Sequence, residues 1–185
     1  AASCIRKPTN KMKVKTSSEK AKKSRELVFE LLLSDQPERK VAHDNNSKFW
    51  NWVDKVEIKE SRFPKKTPCQ SDTSHPSMAV NLDACIQCNL CVRACREVQV
   101  NDVIGMAYRG DNSKIVFDFD DPMGDSTCVA CGECVQACPT GALMPASIVD
   151  KDGVGHSHVD KKVNSVCPYC GVGCQIEYNV KDNKI

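Results

Sequence analysis

One segment near the start of the chain alternates hydrophobic and polar residues with the period of an amphipathic helix. Small or apolar residues recur on one helical face at Ala21, Ser24, Val28, Leu31 and Leu32. Thr16 and Glu19 have the spacing of a capping box, with Thr16 as the N-cap, and Asp35-Gln-Pro37 is typical of a helix end. The pattern predicts a helix over residues 17–34.

Two runs in the second half of the chain have the composition of strands. VIGMAYR (103–109) and KIVFDF (114–119) are rich in β-branched and aromatic residues and flank the turn-forming residues Gly110-Asp-Asn-Ser113. They predict a β-hairpin.

Two other stretches show neither a helical nor a strand pattern. Residues 35–80 are rich in Pro, Lys, Asp and Ser, so we expect an irregular connector that lies on another surface. Within it, the cluster FWNW contains Trp50 and Trp52, which we interpret as packing anchors and not as a ligand site. The polar, glycine-containing residues 149–164 are predicted to be a linker.

The cysteine content changes this picture. The chain has 13 cysteines among 185 residues, yet its basic, polar N-terminus lacks the apolar region of a secretory signal. The longest apolar run, LVFELLL, contains Glu30 and is too short to span a bilayer. We therefore expect a cytoplasmic chain whose cysteines bind metal instead of forming disulfides. Because the chain starts with Ala1 and not Met, we also expect a processed or truncated N-terminus.

Charge is divided unevenly along the chain. Residues 1–68 carry 17 Lys and Arg against 9 Asp and Glu, whereas residues 69–185 carry 9 against 15. The basic half lacks any recognised nucleic-acid-binding motif, so we interpret it as a solvated helix face that also docks to an acidic neighbour. No nucleic-acid partner is expected.

An internal repeat carries the candidate chemistry. DACIQCNLCVRAC (83–95) aligns with STCVACGECVQAC (126–138), and each cysteine is offset by 43 positions. Both copies have the C-x2-C-x2-C-x3-C spacing of bacterial [4Fe–4S] sites, in which the fourth cysteine ligates the cluster of the other copy. One cluster is assigned to Cys85, Cys88, Cys91 and Cys138, and the other to Cys128, Cys131, Cys134 and Cys95.

Structural zinc is the main alternative for such cysteines. Zinc sites usually pair two C-x2-C units across a longer gap, whereas each copy here places three cysteines within seven residues. The spacing therefore favours iron–sulfur clusters. Ile86, Leu90, Val92, Val129 and Val135 are the predicted apolar shell that keeps them dry, although the same residues would serve equally as plain core.

The second copy, CVACGECVQACPTGAL, resembles a bacterial two-cluster ferredoxin domain. Two departures indicate a ferredoxin module embedded in a larger redox enzyme. Arg96 follows Cys95 where many ferredoxins have Pro, and the gap between Cys95 and Cys128 is longer than in minimal ferredoxins.

The C-terminal stretch CPYCGVGC resembles the opening of molybdopterin-dependent oxidoreductases, chiefly formate dehydrogenases. The resemblance implies that Cys167, Cys170 and Cys174 hold a third [4Fe–4S] cluster with a fourth, downstream cysteine that this sequence lacks. A zinc-ribbon half is the alternative. No Gly-rich dinucleotide fingerprint is found, and no catalytic residue is assigned in this chain.

The N-terminal half resembles the α subunit of NAD-dependent, molybdenum-containing formate dehydrogenases, through SDQPERKVAHDNNSKFWNW and SHPSMAVNLDACIQC. In that family a [2Fe–2S] domain precedes the ferredoxin module, which implies that Cys4 is the last ligand of an incomplete site. Many relatives also hold a cluster with one His and three Cys after the helix. Residues 35–68 contain no cysteine, so we expect that cluster to be absent and His43 to be a surface residue. Cys69 is expected to be a free thiol.

Together the motifs predict an α+β fold: a two-cluster ferredoxin-like module with an inserted β-hairpin. The predicted divisions are a [2Fe–2S] domain tail plus helix (1–34), the connector (35–80), the module (81–148), the linker (149–164) and the start of a molybdopterin oxidoreductase 4Fe–4S domain (165–185).

The resemblance implies electron transfer as part of a formate dehydrogenase, with NAD+ as final acceptor and molybdopterin, with Mo or W, only in the longer protein. The implied partners are the rest of the catalytic chain and flavin- and NAD-binding iron–sulfur subunits. A free-standing ferredoxin-like carrier, or the same arm of a nitrate reductase or complex I-like subunit, remains open.

Overall fold

The computed structural model describes residues 3–149 and 159–185. Its helices and strands, in chain order, are α1 (Glu19–Ser34), α2 (Lys48–Val56), β1 (Met78–Val80), α3 (Leu90–Arg93), β2 (Ile104–Ala107), β3 (Lys114–Phe117), α4 (Glu133–Ala137), β4 (Leu143–Pro145), β5 (Lys161–Val166) and β6 (Gln175–Val180). The strands of this described part pair antiparallel as β1–β4, β2–β3 and β5–β6. The fold is a mixture of helices and small sheets.

Helix α1 is present but begins and packs differently from the prediction. Ser18, not Thr16, is the N-cap, and its side chain accepts a hydrogen bond from the Ala21 N–H at 3.3 Å. Val28 and Leu31, predicted on the buried face, are each 53% exposed. The apolar residues of α1 that pack are Phe29, Leu32 and Leu33. Because α1 packs mainly on α2, the position of α2 decides which face is covered.

Helix α2 lies inside the segment predicted to be irregular, so that prediction is wrong for residues 48–56. Ser47 caps the helix by accepting a hydrogen bond from the Trp50 N–H at 3.4 Å. Nine residues are too few for periodicity to distinguish a helix from a loop. Trp50 is buried as an anchor, whereas Trp52 is 48% exposed and stacks on Phe29 with ring centroids 6.4 Å apart. Around them, α1 and α2 form a small core of their own.

The internal repeat forms a second core. The helices α3 and α4 begin at equivalent positions, 43 residues apart, and contact each other. Strand β1 precedes the first copy and β4 follows the second, and their pairing, with Val80 opposite Leu143, closes the unit. The buried residues of this core are Met78, Val80, Cys91, Val92, Cys95, Val103, Ile104, Ile115, Phe117, Met123, Cys134 and Leu143.

The strands β2 and β3 form the hairpin that the sequence predicts between the two copies. Ile104 lies opposite Phe117 and Ala107 opposite Lys114. Phe117 then turns the chain back toward the second copy, since its carbonyl accepts hydrogen bonds from the Asp120 and Asp121 N–H groups, both at 3.0 Å.

Two hydrogen bonds and one close approach join the α1–α2 layer to the repeat core beside candidate ligands. The Gln36 side chain donates a hydrogen bond to the Ala84 carbonyl at 2.9 Å, and the Phe49 N–H donates to the Pro139 carbonyl at 3.0 Å. At Gly141, φ is +79° and a Cβ would meet the Asp44 Cβ at 2.6 Å. The two layers therefore approach too closely there for any side chain on residue 141.

The C-terminal described part is a β-hairpin. Strands β5 and β6 pair from Lys161 opposite Val180 to Val166 opposite Gln175. Residues 150–158 of the predicted linker lie outside the described residues, and 161–164 belong to β5. Across the part of the chain that the structure describes, no helix has both the length and the apolar character to cross a membrane.

The carboxylate of Asp72 links β1 to the turn before the second copy. It accepts hydrogen bonds from the Met123 N–H at 2.7 Å and from the Ser74 hydroxyl at 2.6 Å, and Ser74 in turn accepts from the Gly124 N–H at 2.8 Å. Burial alone would raise the pKa of Asp72, but these hydrogen bonds, helped by nearby His75, hold it below its usual range. The ionised form is therefore the one that the fold stabilises.

Replacing Gly141 tests the close approach of the two layers. Gly141→Ala is expected to destabilise the chain by about 1–3 kcal/mol through overpacking, in addition to the strain of a positive φ. Gly110→Ala is the matched control, because φ is +58° there but a Cβ would meet nothing within 4 Å. Thermal unfolding midpoints of both variants, measured anaerobically, should show the larger loss for Gly141→Ala. Equal losses would contradict the contact.

Replacing Asp72 tests the carboxylate link. Asp72→Asn is expected to cost about 1–3 kcal/mol at pH 7, because charge-assisted hydrogen bonds to Met123 and Ser74 are weakened. Since the folded-state pKa is depressed, this stability is present above about pH 4 and is lost as the pH falls through the folded pKa. Unfolding midpoints of the two proteins at pH 7 provide the measurement. Identical midpoints would show that the link contributes nothing.

Candidate metal centres

Four thiols converge beside the N-terminal end of α3. Cys85 and Cys88 lie in the loop before the helix, Cys91 is in its first turn, and Cys138 follows α4 of the other copy. Together they line a cavity of about 380 Å³, a volume that includes its opening to solvent. The other residues lining this cavity are Leu82, Ile86, Asn89, Ile115, Pro139, Thr140, Ala142 and Leu143. The predicted first set is thus brought together by the fold.

The pKa values of the thiols in the first set also show that these four cysteines lie close together. Burial raises the pKa of Cys91 to about 12, with further contributions from the nearby thiols of Cys85, Cys138 and Cys88. Burial also raises the pKa of Cys85, opposed by the Gln87 N–H. Crowded thiols in a dry site do not ionise readily by themselves, so thiolates there require cations to neutralise them.

The second set has the same arrangement around α4. Burial raises the pKa of Cys134 to about 12, and the neighbouring thiols that raise it further are Cys128, Cys131 and Cys95. Cys95 comes from the π-helical turn Ala94–Val98 that continues α3. The fold therefore brings together three thiols from each loop with a fourth from the other copy.

The two ligand loops share a backbone conformation that requires positive φ at equivalent positions. Gln87 and Asn89 have φ of 55° and 60°, and Ala130 and Gly132, 43 residues later, have 58° and 76°. Such left-handed residues are uncommon when they are not glycine. Their recurrence at the same offset shows that both copies form one kind of loop.

Donors surround several of the sulfur atoms. The Gln87 N–H donates to Cys85 Sγ at 3.4 Å, and the Val103 N–H donates to Cys95 Sγ at 3.4 Å. The Thr140 hydroxyl lies 3.6 Å from Cys138 Sγ. Hydrogen bonds to cluster sulfurs are one of the means by which a protein sets the potential of an iron–sulfur cluster.

The predicted apolar shell is only partly correct. Val92 is buried and Val135 is half-buried against the repeat core, but Leu90 is 42% and Val129 63% exposed. The shell comes instead from residues distant in sequence, chiefly Met78, Ile115, Phe117, Met123 and Leu143. Sequence reasoning missed them because the pairing of β1 with β4 and of β2 with β3 brings in the strand residues, and the hydrogen bond from its N–H to Asp72 holds Met123.

The donor sets fit [4Fe–4S] clusters. Each set consists of four thiols around a largely apolar site, the ligation that such clusters require. Within the described ranges, no group of three His, Cys, Asp or Glu residues is placed to hold a single metal ion.

Three further thiols lie in the loop that joins β5 to β6. The Cys167 N–H donates to the Cys174 carbonyl at 2.8 Å, which closes the loop around exposed Cys170. Gly173, at φ +72°, provides the left-handed residue that this turn needs. The predicted third set, Cys167, Cys170 and Cys174, is therefore presented from one tight loop.

The remaining predictions have mixed outcomes. Cys4 is exposed in a short 3₁₀ turn, and Cys69 is a half-buried thiol whose N–H donates to the Asp83 carboxylate. None of the 13 cysteines, all of which lie within the described residues, is joined in a disulfide. His43 was expected at the surface but is 1% exposed, so that prediction is wrong. The reason is that the chain before α2 packs under Pro139–Gly141, a long-range contact with no local sequence signal.

Two protein families match the chain. Residues 84–142 match the 4Fe-4S dicluster domain, and residues 160–185 match the molybdopterin oxidoreductase Fe4S4 domain. The first range contains both cysteine repeats, and the second contains the β5–β6 hairpin with its three thiols.

Relatives in other organisms are similar at low identity. A Staphylococcus haemolyticus protein named "putative formate dehydrogenase" is 28% identical over 170 residues, covering 73% of this chain and 17% of that protein. The Bacillus subtilis "probable oxidoreductase YjgC" is 28% identical over 171 residues, covering 73% and 17%. The chain thus spans about a sixth of the length of these curated relatives.

Among solved structures, an NAD+-reducing [NiFe]-hydrogenase in the H2-reduced state has a similar fold. Its TM-score is 0.64 at 23% sequence identity, covering 70% of this chain and 56% of that chain. Residues 84–142 and 160–185 thus match, in this order, a 4Fe-4S dicluster domain and a molybdopterin oxidoreductase Fe4S4 domain.

Proposed function

We propose that this chain is the electron-transfer region of a formate dehydrogenase and that its eight repeat cysteines hold two [4Fe–4S] clusters. The observation that carries the proposal is the exchange of the fourth thiol: Cys138 lies with the first set and Cys95 with the second. This exchange ties both sites into one unit, the ligation of two-cluster ferredoxins.

The chain's own residues perform three tasks in this proposal. Thiols from both loops bind the clusters, and the N–H groups of Gln87 and Val103 stabilise negative charge on sulfur. Met123 and Phe117, which are 0% and 4% exposed, belong to the apolar core that keeps water from the buried thiols. When bound, each cluster supplies one-electron redox chemistry at a potential that this surrounding sets.

The division of the chain follows from the same proposal. The two-cluster module occupies residues 81–148, with the β2–β3 hairpin as an insertion between its copies. Residues 165–185 begin the molybdopterin oxidoreductase domain, where Cys167, Cys170 and Cys174 bind a third cluster with a downstream cysteine. Cys4 is the last ligand of a [2Fe–2S] site whose other ligands precede this sequence.

The proposal that formate and NAD+ take part rests on the names of the relatives and on the sequence resemblance. The name of the Staphylococcus haemolyticus relative supports formate as the electron donor. The wider proposal is that a molybdopterin site in the longer protein oxidises formate, and that electrons leave through this chain to a flavin- and NAD-binding partner in the cytoplasm. Formate binding is assigned to none of the residues in this chain.

Iron content is the first expected result. The chain reconstituted anaerobically should bind about eight irons in residues 84–142, with visible charge-transfer absorption, because two cubanes each contain four irons. Iron and zinc analysis of the reconstituted chain provides the measurement. A stoichiometric zinc load without visible absorption would overturn the cluster assignment.

Cross-ligation is the second expected result. Cys95→Ala should damage the cluster of Cys128, Cys131 and Cys134 and spare the other, because Cys95 lies with the second set. Cys138→Ala, the matched variant, should damage the first cluster and spare the second. Electron paramagnetic resonance (EPR) spectra of the two reduced variants distinguish the clusters. If each variant damaged the cluster of its own repeat, the assignment would be reversed.

Formate reduction is the third expected result, and it is measured in the longer protein that contains this region. Anaerobic formate should produce the EPR signals of both repeat clusters, with dithionite reduction defining their full intensity. The same protein with Cys95→Ala should lose the signal of the second cluster alone. Clusters that dithionite reduces but formate does not would remove formate as the donor.

A further inference from the structure

The residue immediately before each ligand loop is held by a side chain from outside the cysteine motif. Ala84 precedes Cys85, and its carbonyl accepts a hydrogen bond from Gln36 Nε2 at 2.9 Å. Thr127, the equivalent residue 43 positions later, precedes Cys128, and its N–H donates to Asp118 Oδ2 at 2.6 Å. The two anchors come from different parts of the chain, since Gln36 follows α1 and Asp118 follows β3.

The first anchor, the hydrogen bond from Gln36 to Ala84, is shielded from solvent. Gln36 is 4% exposed, Ala84 is 0% exposed, and the bond between them is buried and joins residues 48 positions apart. It is therefore a specific link between the α1–α2 layer and the first ligand loop. The other amide atom of Gln36, Oε1, is buried and accepts no hydrogen bond from the described residues. A buried unpaired oxygen opposes the gain from the Nε2 bond, so the side chain contributes little net stability to folding.

The bond to Ala84 controls the geometry of a ligand. The Ala84 carbonyl belongs to the peptide group whose N–H is that of Cys85, and this N–H donates to the Leu82 carbonyl at 3.0 Å. With both sides of the planar peptide held, the Cα of Cys85 is fixed in position. Its sulfur is then placed to accept the Gln87 N–H at 3.4 Å. Release of the carbonyl would loosen both the thiol and the N–H···S bond.

The second anchor has different chemistry. Asp118 binds Thr127 twice, since it accepts from the N–H and, at 3.0 Å, from the Thr127 hydroxyl. Asp118 also has φ of 46°, a conformation that Asp and Asn tolerate better than other residues with side chains. Where the first loop is held by an uncharged amide from the N-terminal layer, the second is held by a carboxylate at the end of the hairpin.

We infer that Gln36 and Asp118 are positioning residues, Gln36 for the cluster of Cys85, Cys88, Cys91 and Cys138 and Asp118 for the cluster of Cys128, Cys131, Cys134 and Cys95. This inference rests on the proposed function, because it assigns residues to the clusters that the function requires. It also gives the α1–α2 layer a role in holding the first cluster in addition to packing.

The test compares Gln36→Met with two other variants of the cluster-loaded full chain. Gln36→Met keeps the length of the side chain and removes the donor. Leu32→Met is the control, because Leu32 packs against the α1–α2 core but has no hydrogen-bonding side chain. Asp118→Asn is the reciprocal variant, since Asn tolerates the positive φ but lacks the charge and one acceptor.

The rate of iron release and the midpoint potential are measured for each cluster. The spectra of Cys95→Ala and Cys138→Ala identify which signal belongs to which cluster. In Gln36→Met, a chelator should remove the iron of the first cluster about tenfold faster, the order expected when a buried acceptor is left unpaired. The midpoint potential of that cluster should shift to a more negative value, because a weakened N–H···S bond stabilises the reduced cluster less. The second cluster should not change. Asp118→Asn should leave the first cluster unchanged and cause several-fold faster iron loss from the second cluster.

The outcomes separate this inference from the proposed function. A wild-type chain that takes up no iron–sulfur cluster would overturn both. A loaded wild type, with Gln36→Met and Leu32→Met giving the same first-cluster potential and iron-release rate, would overturn the inference alone and leave Gln36 as a packing residue. If Gln36→Met fails to fold, Gln36→Leu removes the same donor in a smaller side chain and is judged by the same two readouts.

Discussion

In each set, four thiols must lie together in a space lined by apolar side chains. Three come from one loop, and the fourth comes from a helix end of the other copy. This constraint makes the two repeats inseparable, because neither set is complete without Cys95 or Cys138 being contributed by its partner repeat. Burial raises the pKa of Cys91 and Cys134 to about 12, so thiolates here need cations to neutralise them. Under the proposed function, binding of the clusters and folding of the repeat unit are coupled.

The rest of the repeat core holds the thiols of each set in place. Pairing of β1 with β4 joins the start of the first copy to the end of the second, and the contact of α3 with α4 holds the two loops in register. The Asp72 carboxylate then fixes the turn at Met123, which belongs to the repeat core and is fully buried. A small core of this kind gains much of its stability from the ligands that cross it.

The α1–α2 layer has its own core and reaches the repeat unit at the first set. Gln36 and Phe49 bind the carbonyls of Ala84 and Pro139, which adjoin Cys85 and Cys138 in the chain. Both of these bonds lie at the first set, whereas the second loop is bound by Asp118 at the end of the hairpin. Two sites built from one repeated sequence thus lie in different surroundings, which is a physical basis for two different potentials.

The amino-acid sequence by itself determined the chemistry and its grouping: the spacing of the eight cysteines, their repetition at 43 residues and the hairpin between them all follow from local patterns. Local patterns also placed α1, whose first residue was displaced because Ser17 and Ser18 offer equivalent caps to Thr16. Only the tertiary structure decided that His43 is buried, that Gln36 bonds to the residue before Cys85, and that Asp72 bonds to Met123 in the repeat core. Each of these depends on a contact between residues far apart in the chain, and such contacts leave no periodicity or spacing in the segment that makes them.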